Sequence, residues 1–250
     1  MTRPARVDVA ARVAESAPAL IDSATADRPG HENGHETAHA SKSEEILRVS
    51  LTLFATNGFR GTTTRDIAGA VGLKQASLFH YFQSKEDILR ELLDRLVRKS
   101  LLLSKSLEGS ELPAAAKLWL LVYVDVRELA IDSYQGVRLM LLPTSRGATY
   151  ADFWAMRDQL RSRYRELVRL ALMDVGADLT DLDLKSEVVF GITEAPVSWC
   201  ETVPLPAQTV PTETANAVLA YLLGDQGAVA SAHTLAREKL ADERWLIETS

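Results

Sequence analysis

One cysteine, Cys200, is all that the chain carries, which excludes an internal disulfide and any metal site built from several thiolates. The sequence also lacks a run of 18 apolar residues, so no segment reads as a membrane-spanning helix. Its first twenty residues lack the continuous apolar stretch of a secretory signal. Both absences lead to the expectation of a cytoplasmic protein that does not engage a membrane. Enzymatic signatures are missing as well. There is no glycine-rich phosphate loop, no GxSxG elbow and no HExxH, and beyond residue 40 the only imidazoles are His80 and His233. A chain without a visible nucleophile–base pair is expected to be a binding protein, with no cofactor and no metal. Strand-like alternation is scarce too, and the sequence reads as all-α.

What is present is a segregation of charge. The chain as a whole carries a net charge of −6. From Ser41 to Lys105 there are 11 Lys and Arg against 7 Asp and Glu, a net of +4, which leaves 17 against 27, a net of −10, for the rest. A basic segment on an acidic body is the distribution expected of a nucleic-acid-binding head joined to something else. Residues 1–40 have no sustained apolar stripe and read as a disordered N-terminal arm. Within it His31, His35 and His39 stand four apart, the spacing that would align metal ligands on a helix, but Gly30 and Gly34 interrupt that helix and no second cluster completes a site.

Ser41 with Glu44 reads as a capping box, so an ordered helix is expected to begin there and to end at Gly58. Next comes TRDIAGAVGLKQASLFHYFQSK, from Thr63 to Lys85. Ile67, Ala68 and Val71 share one helical face, and Leu78 and Phe82 share another. Gly72 between them supplies the left-handed backbone of a short helix-to-helix turn, and Leu73 plugs the corner. Thr63 with Asp66, and Ser84 with Asp87, resemble capping boxes with Asp in place of Glu. This is the pattern of a helix-turn-helix, and it predicts a three-helix head over 41–83. A connector helix follows over about 84–107 and opens the larger domain, 84–250.

The run FATNGFRGTTTRDIAGAVGLKQASLFHYFQSKEDIL, from Phe54 to Leu89, resembles the DNA-binding head of the tetracycline-repressor (TetR) family of bacterial transcriptional regulators. The resemblance joins an aromatic residue and Gly before a Thr cluster, the Ile67–Ala68 pair, the Gly72 turn, the aromatic cluster Phe79 to Phe82, and Ser84–Lys85. It covers roughly 50 residues and leaves the body uncovered. It implies a homodimeric repressor on a double-stranded, inverted-repeat operator, with half-sites about 34 Å apart or a multiple of the helical turn. By position it implies Gln75, Ala76, Ser77, His80 and Tyr81 at the groove, with Thr63, Lys74 and Lys85 at phosphates. Two residues depart from the family pattern. Lys74 stands where a Ser or Thr usually caps the recognition helix, and Phe79 stands where a Tyr often reaches a phosphate.

Beyond the head the periodicity stays helical. AAAKLWLLVYVDVRELAI, following Pro113, is apolar nearly all round and is expected at the centre, where Asp125 would need a partner. A shorter run, QGVRLMLL, ends at Pro143. The helix from about Thr149 to Met173 bears Arg157, Arg161, Arg165 and Arg169 at intervals of four. Such a stripe is mildly destabilising, so it suggests either an anionic partner or, the expectation here, a solvated face relieved by Asp158 and Glu166. Two later segments, LKSEVVFGITEAPVSWCE and PTETANAVLAYLLG, read as a dimerisation surface, the second through Ala215, Val218, Leu219, Leu222 and Leu223. A small-molecule effector is expected in the body, with Trp119, Tyr123, Asp125, Phe153, Trp154, Met156 and Trp199 as candidate contacts. The alternative is a ligand-independent DNA-binding or architectural protein.

Overall fold

The computed structural model describes residues 33–128, 148–196 and 209–241. The described residues are helical throughout, with no strand, and the fold is all-α. The helices are α1 (Asn33–Asn57), α2 (Thr64–Ala70), α3 (Gln75–Leu78), α4 (Lys85–Glu108), α5 (Ala114–Arg127), α6 (Ala151–Asp174), α7 (Leu182–Glu194), α8 (Thr209–Leu223) and α9 (Gln226–Ala241).

Helices α1 to α3 and the start of α4 close around one apolar cluster. Ile46, Leu47, Phe54, Phe59, Ile67, Val71, Leu78, Ile88 and Leu89 are all buried in it. Each such side chain contributes about 1.5–3 kcal/mol on burial, so nine of them hold a head of this size without a disulfide. The end of α1 is fixed by polar contacts as well. Gly58 turns the chain at φ +74, and the buried Thr62 hydroxyl lies 3.1 and 2.9 Å from the carbonyls of Leu53 and Gly58. The helix start differs from the sequence expectation. Helix α1 begins at Asn33 and runs straight through Ser41, so the boundary expected between residues 40 and 41 falls inside a helix. Glu44, expected to reach back to the Ser41 backbone, pairs instead with Arg95 of α4, at 2.6 and 2.8 Å.

Helix α4 leaves the head and continues into the body, where α5 is the central helix. Leu118 through Val122 are all fully buried, which is what an all-round apolar sequence demands. Helix α5 packs against α4, α6, α8 and α9, with its largest interface on α8. Pro113 caps its start with an extended ψ of 149°.

Two expectations about the body are corrected by the packing. The arginine stripe of α6 is relieved mainly from across the helix interface: Arg157 pairs with Glu194, Arg161 with Glu187 at 2.7 Å, and Arg165 with Asp183 at 2.6 Å, all on α7. Glu166 serves Arg169 alone, at 2.6 Å. The second correction concerns α8. Ala215, Val218, Leu219 and Leu222, read as an association stripe, are buried inside this chain's own core. Pro143, the run QGVRLMLL, Trp199, Cys200 and residues 1–32, including His31, lie outside the described residues.

Candidate nucleic-acid interface

The motif is held by caps as well as by packing. The Thr63 hydroxyl accepts from the Asp66 amide at 3.2 Å, and the Asp66 carboxylate accepts from the Thr63 amide at 2.9 Å, which closes a capping box with Asp as its acid. That fixes the first residue of α2. Its last turn is fixed by Gly72, at φ +69, where the Leu73 amide donates back to Ala68 at 2.8 Å. Lys42 of α1 adds a cation at the same helix end, its Nζ 2.9 Å from the Val71 carbonyl. The turn is therefore held by the left-handed glycine and by α1 together.

Helix α3 starts at Gln75 without a side-chain cap, because Lys74 has no acceptor to offer. It spans four residues. The chain then continues through Phe79–Tyr81 in tightened turns, with the His80 and Tyr81 amides donating to the carbonyls three residues back. The expected single helix over KQASLFHYF is thus a short α-helix with a wound extension. Leu78 is its buried anchor, and the opposite side faces solvent. Lys74, Ala76 and His80 are exposed, and Gln75, Ser77 and Tyr81 are half-buried. The Gln75 amide donates to the Thr64 hydroxyl at 2.8 Å, which ties α3 to the start of α2 and holds the side chain along the outer surface.

The remaining candidates occupy two further positions. Thr63 is exposed at the start of α2, its hydroxyl also donating to Asp66 at 2.7 Å. Lys85 is half-buried: its Nζ sits 2.6 Å from the Phe59 carbonyl, 2.8 Å from that of Thr62 and 4.2 Å from the centre of the Phe59 ring. An ammonium has three donors, so two of Lys85's hold the loop between α1 and α2. Phe79 is 44% exposed, an apolar ring on the same surface. Arg60 and Arg65, absent from the sequence-derived candidates, are exposed on that loop and in the first turn of α2. Their positions next to the Thr63 cap were the signal that would have found them. Below this surface, the Ser84 hydroxyl beside Asp87 holds the carboxyl below its usual range and fixes the start of α4.

The body candidates fall into separate places. Trp119 donates from Nε1 to Asn216 of α8 at 2.8 Å and stacks on Tyr123 and on His233 of α9, at 5.1 and 4.9 Å between ring centres. Asp125 turns instead to α4 and α6, accepting from Ser100 at 2.8 Å and from Tyr164 at 2.9 Å. No cation bonds to that carboxyl among the described residues, and burial pushes it up to about 6; the same burial raises Tyr164. Phe153 is fully buried and meets Trp154 edge-on at 5.0 Å. Met156 lines an outer groove of about 490 Å³ between α4 and α6, together with Arg98, Leu101, Leu102, Lys105 and Arg163. The described members of the sequence-derived pocket are thus a set of packing contacts plus one residue on a groove.

Comparison with known proteins bears on both parts. The sequence profile of bacterial regulatory proteins of the tetR family matches residues 46–92, from within α1 to within α4. The HTH-type transcriptional repressor KstR2 of Rhodococcus jostii (strain RHA1) is 35% identical over 153 residues, which is 56% of this chain and 70% of that protein. KstR2 of Mycolicibacterium smegmatis is 44% identical over 54 residues, 22% of this chain and 26% of that one. Among solved structures, Mycobacterium smegmatis AmtR aligns with a TM-score of 0.71 at 34% identity, covering 80% of this chain and 94% of AmtR. PfmR of Thermus thermophilus, at 22% identity and a TM-score of 0.61, covers 70% of this chain and 96% of its own and shares the fold.

Proposed function

The chain belongs to the tetracycline-repressor family of DNA-binding transcriptional regulators, and from that premise we propose that it is a homodimeric repressor released from its operator by a small molecule. The observation that carries the DNA-binding half is the outward face of α3 and its extension, where Lys74, Ala76 and His80 are exposed on a turn fixed by Gly72 and Lys42. Presented to a major groove, Gln75 has the bidentate amide that matches adenine N6 and N7, and Ser77 sits two residues on. Gln75 would exchange its bond to Thr64 for one to a base. Tyr81 and His80 extend the same edge, while Thr63, Lys74 and the remaining donor of Lys85 are suited to phosphates.

Dimerisation is supported by what α7 and α8 leave outside. Leu184 is 64% exposed, and Gly191 and Ala195 follow it along one side of α7. On α8, Ala217 is exposed and Tyr221 is 46% exposed. These two helices pack against each other and leave small and apolar residues outside, which suits close approach of a second copy. Effector binding is supported by the groove between α4 and α6. Its volume of about 490 Å³ lies in the range of small-molecule sites. It is walled by the helix that carries the head, so an occupant favouring one α4 position would bias head spacing.

The test of the DNA reading is selection from a randomised duplex library with the wild type and Gln75→Ala. The wild type is expected to enrich an inverted repeat. The variant is expected to lose preference at one base pair of each half-site while keeping its affinity for bulk DNA. Equal preference in both proteins would remove Gln75 from base readout.

A further inference from the structure

The first half of α1 makes three contacts with three different elements, and one of them, from His39, comes from upstream of Ser41, where order was expected to begin. Glu44 pairs with Arg95 on α4. Lys42 reaches the Val71 carbonyl at the end of α2, and His39, one helical turn before Lys42, reaches the recognition element. The His39 and Tyr81 rings stack with their centres 4.4 Å apart and their planes 23° from parallel. His39 and Lys42 share a face of α1, so one side of a single helix supports both ends of the helix-turn-helix: the close of α2 through Lys42 and the close of the α3 extension through His39.

Tyr81 needs such support. It lies beyond the last α-helical residue of α3, in a stretch held by bonds to carbonyls three residues back. Its ring is half-buried. An aromatic side chain at the end of a four-residue helix has little local structure to fix its direction, and a flat ring against it removes much of that freedom. The geometry of the stack is in the range of favourable aromatic pairs.

We propose that His39 is a positioning residue for operator recognition: its imidazole holds the Tyr81 ring in the orientation that meets DNA. This rests on the reading above in which Tyr81 contacts the operator. His39 acts through Tyr81, and the turn of α1 just before Ser41 belongs to the reading head.

The probe is the duplex that the wild-type protein enriches from a randomised library, with Kd measured by fluorescence anisotropy for His39→Ala, His39→Phe, Tyr81→Ala, Tyr81→Phe and the double variants. Loss of a stack of this kind is expected to weaken binding about two- to tenfold in His39→Ala. His39→Phe keeps a flat ring and is expected to restore affinity to within about twofold of the wild type, by the same stacking argument. In a Tyr81→Ala background His39→Ala should have no further effect. In Tyr81→Phe, which keeps the ring and guards against a misfolded Tyr81→Ala, its effect should persist. Thermal unfolding followed by circular dichroism should stay one cooperative transition in His39→Ala, lowered by no more than a few degrees. Three results would overturn the proposal. Wild-type affinity in His39→Ala with weakened Tyr81→Ala would show that the stack does not position the ring. An equal loss from His39→Ala with and without the Tyr81 ring would show that His39 meets DNA itself. Wild-type affinity in both Tyr81 variants would remove the DNA contact on which the proposal rests.

Discussion

The carboxyl of Asp125 should make the stability of this protein depend on pH in a direction opposite to that of most paired acids. It is buried on α5, accepts one hydrogen bond from Ser100 of α4 and one from Tyr164 of α6, and is pushed by burial from an ordinary 3.8 to about 6. A folded-state pKa above the unfolded one means that the native protein holds the proton more tightly. The associated stabilisation is therefore complete below the unfolded value and is lost as pH rises through about 6. The full difference corresponds to about 3 kcal/mol, and about 2 kcal/mol of it falls between pH 4.5 and 7.5. Asp125→Asn removes the titration. Its amide must donate to one hydroxyl, which can turn to accept, at a cost of about 1 kcal/mol. The variant should therefore be about 2 kcal/mol more stable than the wild type at pH 7.5 and about equal to it at pH 4.5. The assay is urea unfolding at both pH values at one protein concentration, because dissociation of an oligomer adds its own term. Subtracting the variant from the wild type cancels the other carboxylates. A difference that changes by less than about 0.5 kcal/mol between the two pH values would refute the assignment, since the linkage requires several times that.

Three further predictions follow from single contacts. Gly72→Ala places a Cβ in the left-handed region at φ +69 and should destabilise the protein by about 1 kcal/mol, with Gly72→Asn costing less, as read from urea midpoints. Lys85→Met removes two bonds to the Phe59 and Thr62 carbonyls. It should lower the melting temperature as well as operator affinity, whereas Lys74→Met, at an exposed position, should lower affinity and the salt slope alone. Ala217→Arg on the outer side of α8 should shift sedimentation toward the monomer, while leaving far-ultraviolet circular dichroism unchanged.

Local signals were legible where local physics decides the outcome. The Thr63 and Ser84 caps, the Gly72 turn and the central placement of α5 could all be read from the sequence, because each depends on a few neighbouring residues or on the apolar pattern of one helix. What could not be read depends on the residues that meet across a helix interface. The arginines of α6 read as a solvated face relieved by Asp158 and Glu166 because their other acids, Asp183, Glu187 and Glu194, lie on another helix. The apolar stripe of α8 reads as an association surface because periodicity identifies the most hydrophobic face, whereas a chain buries that face in its own core first. Ala217 and Tyr221, on the side left outside, give no strong periodic signal. The contacts of α1 were not legible locally either: Glu44 of the expected capping box meets Arg95, and Lys42 and His39 meet Val71 and Tyr81. In the interface itself, the residue types at Gln75, Ser77 and His80 were visible, but the bond from Gln75 to Thr64 and the engagement of Lys85 with two carbonyls were not.

The central claim is that this head reads an inverted repeat as part of a dimer, with α3 in successive major grooves. Hydroxyl-radical footprinting of the wild-type protein on the duplex it enriches tests that claim most directly. Two protected patches related by a two-fold axis are expected, with centres about one helical turn, or a whole number of turns, apart. A single patch without symmetry, or uniform protection at low salt with no enriched sequence, would contradict it.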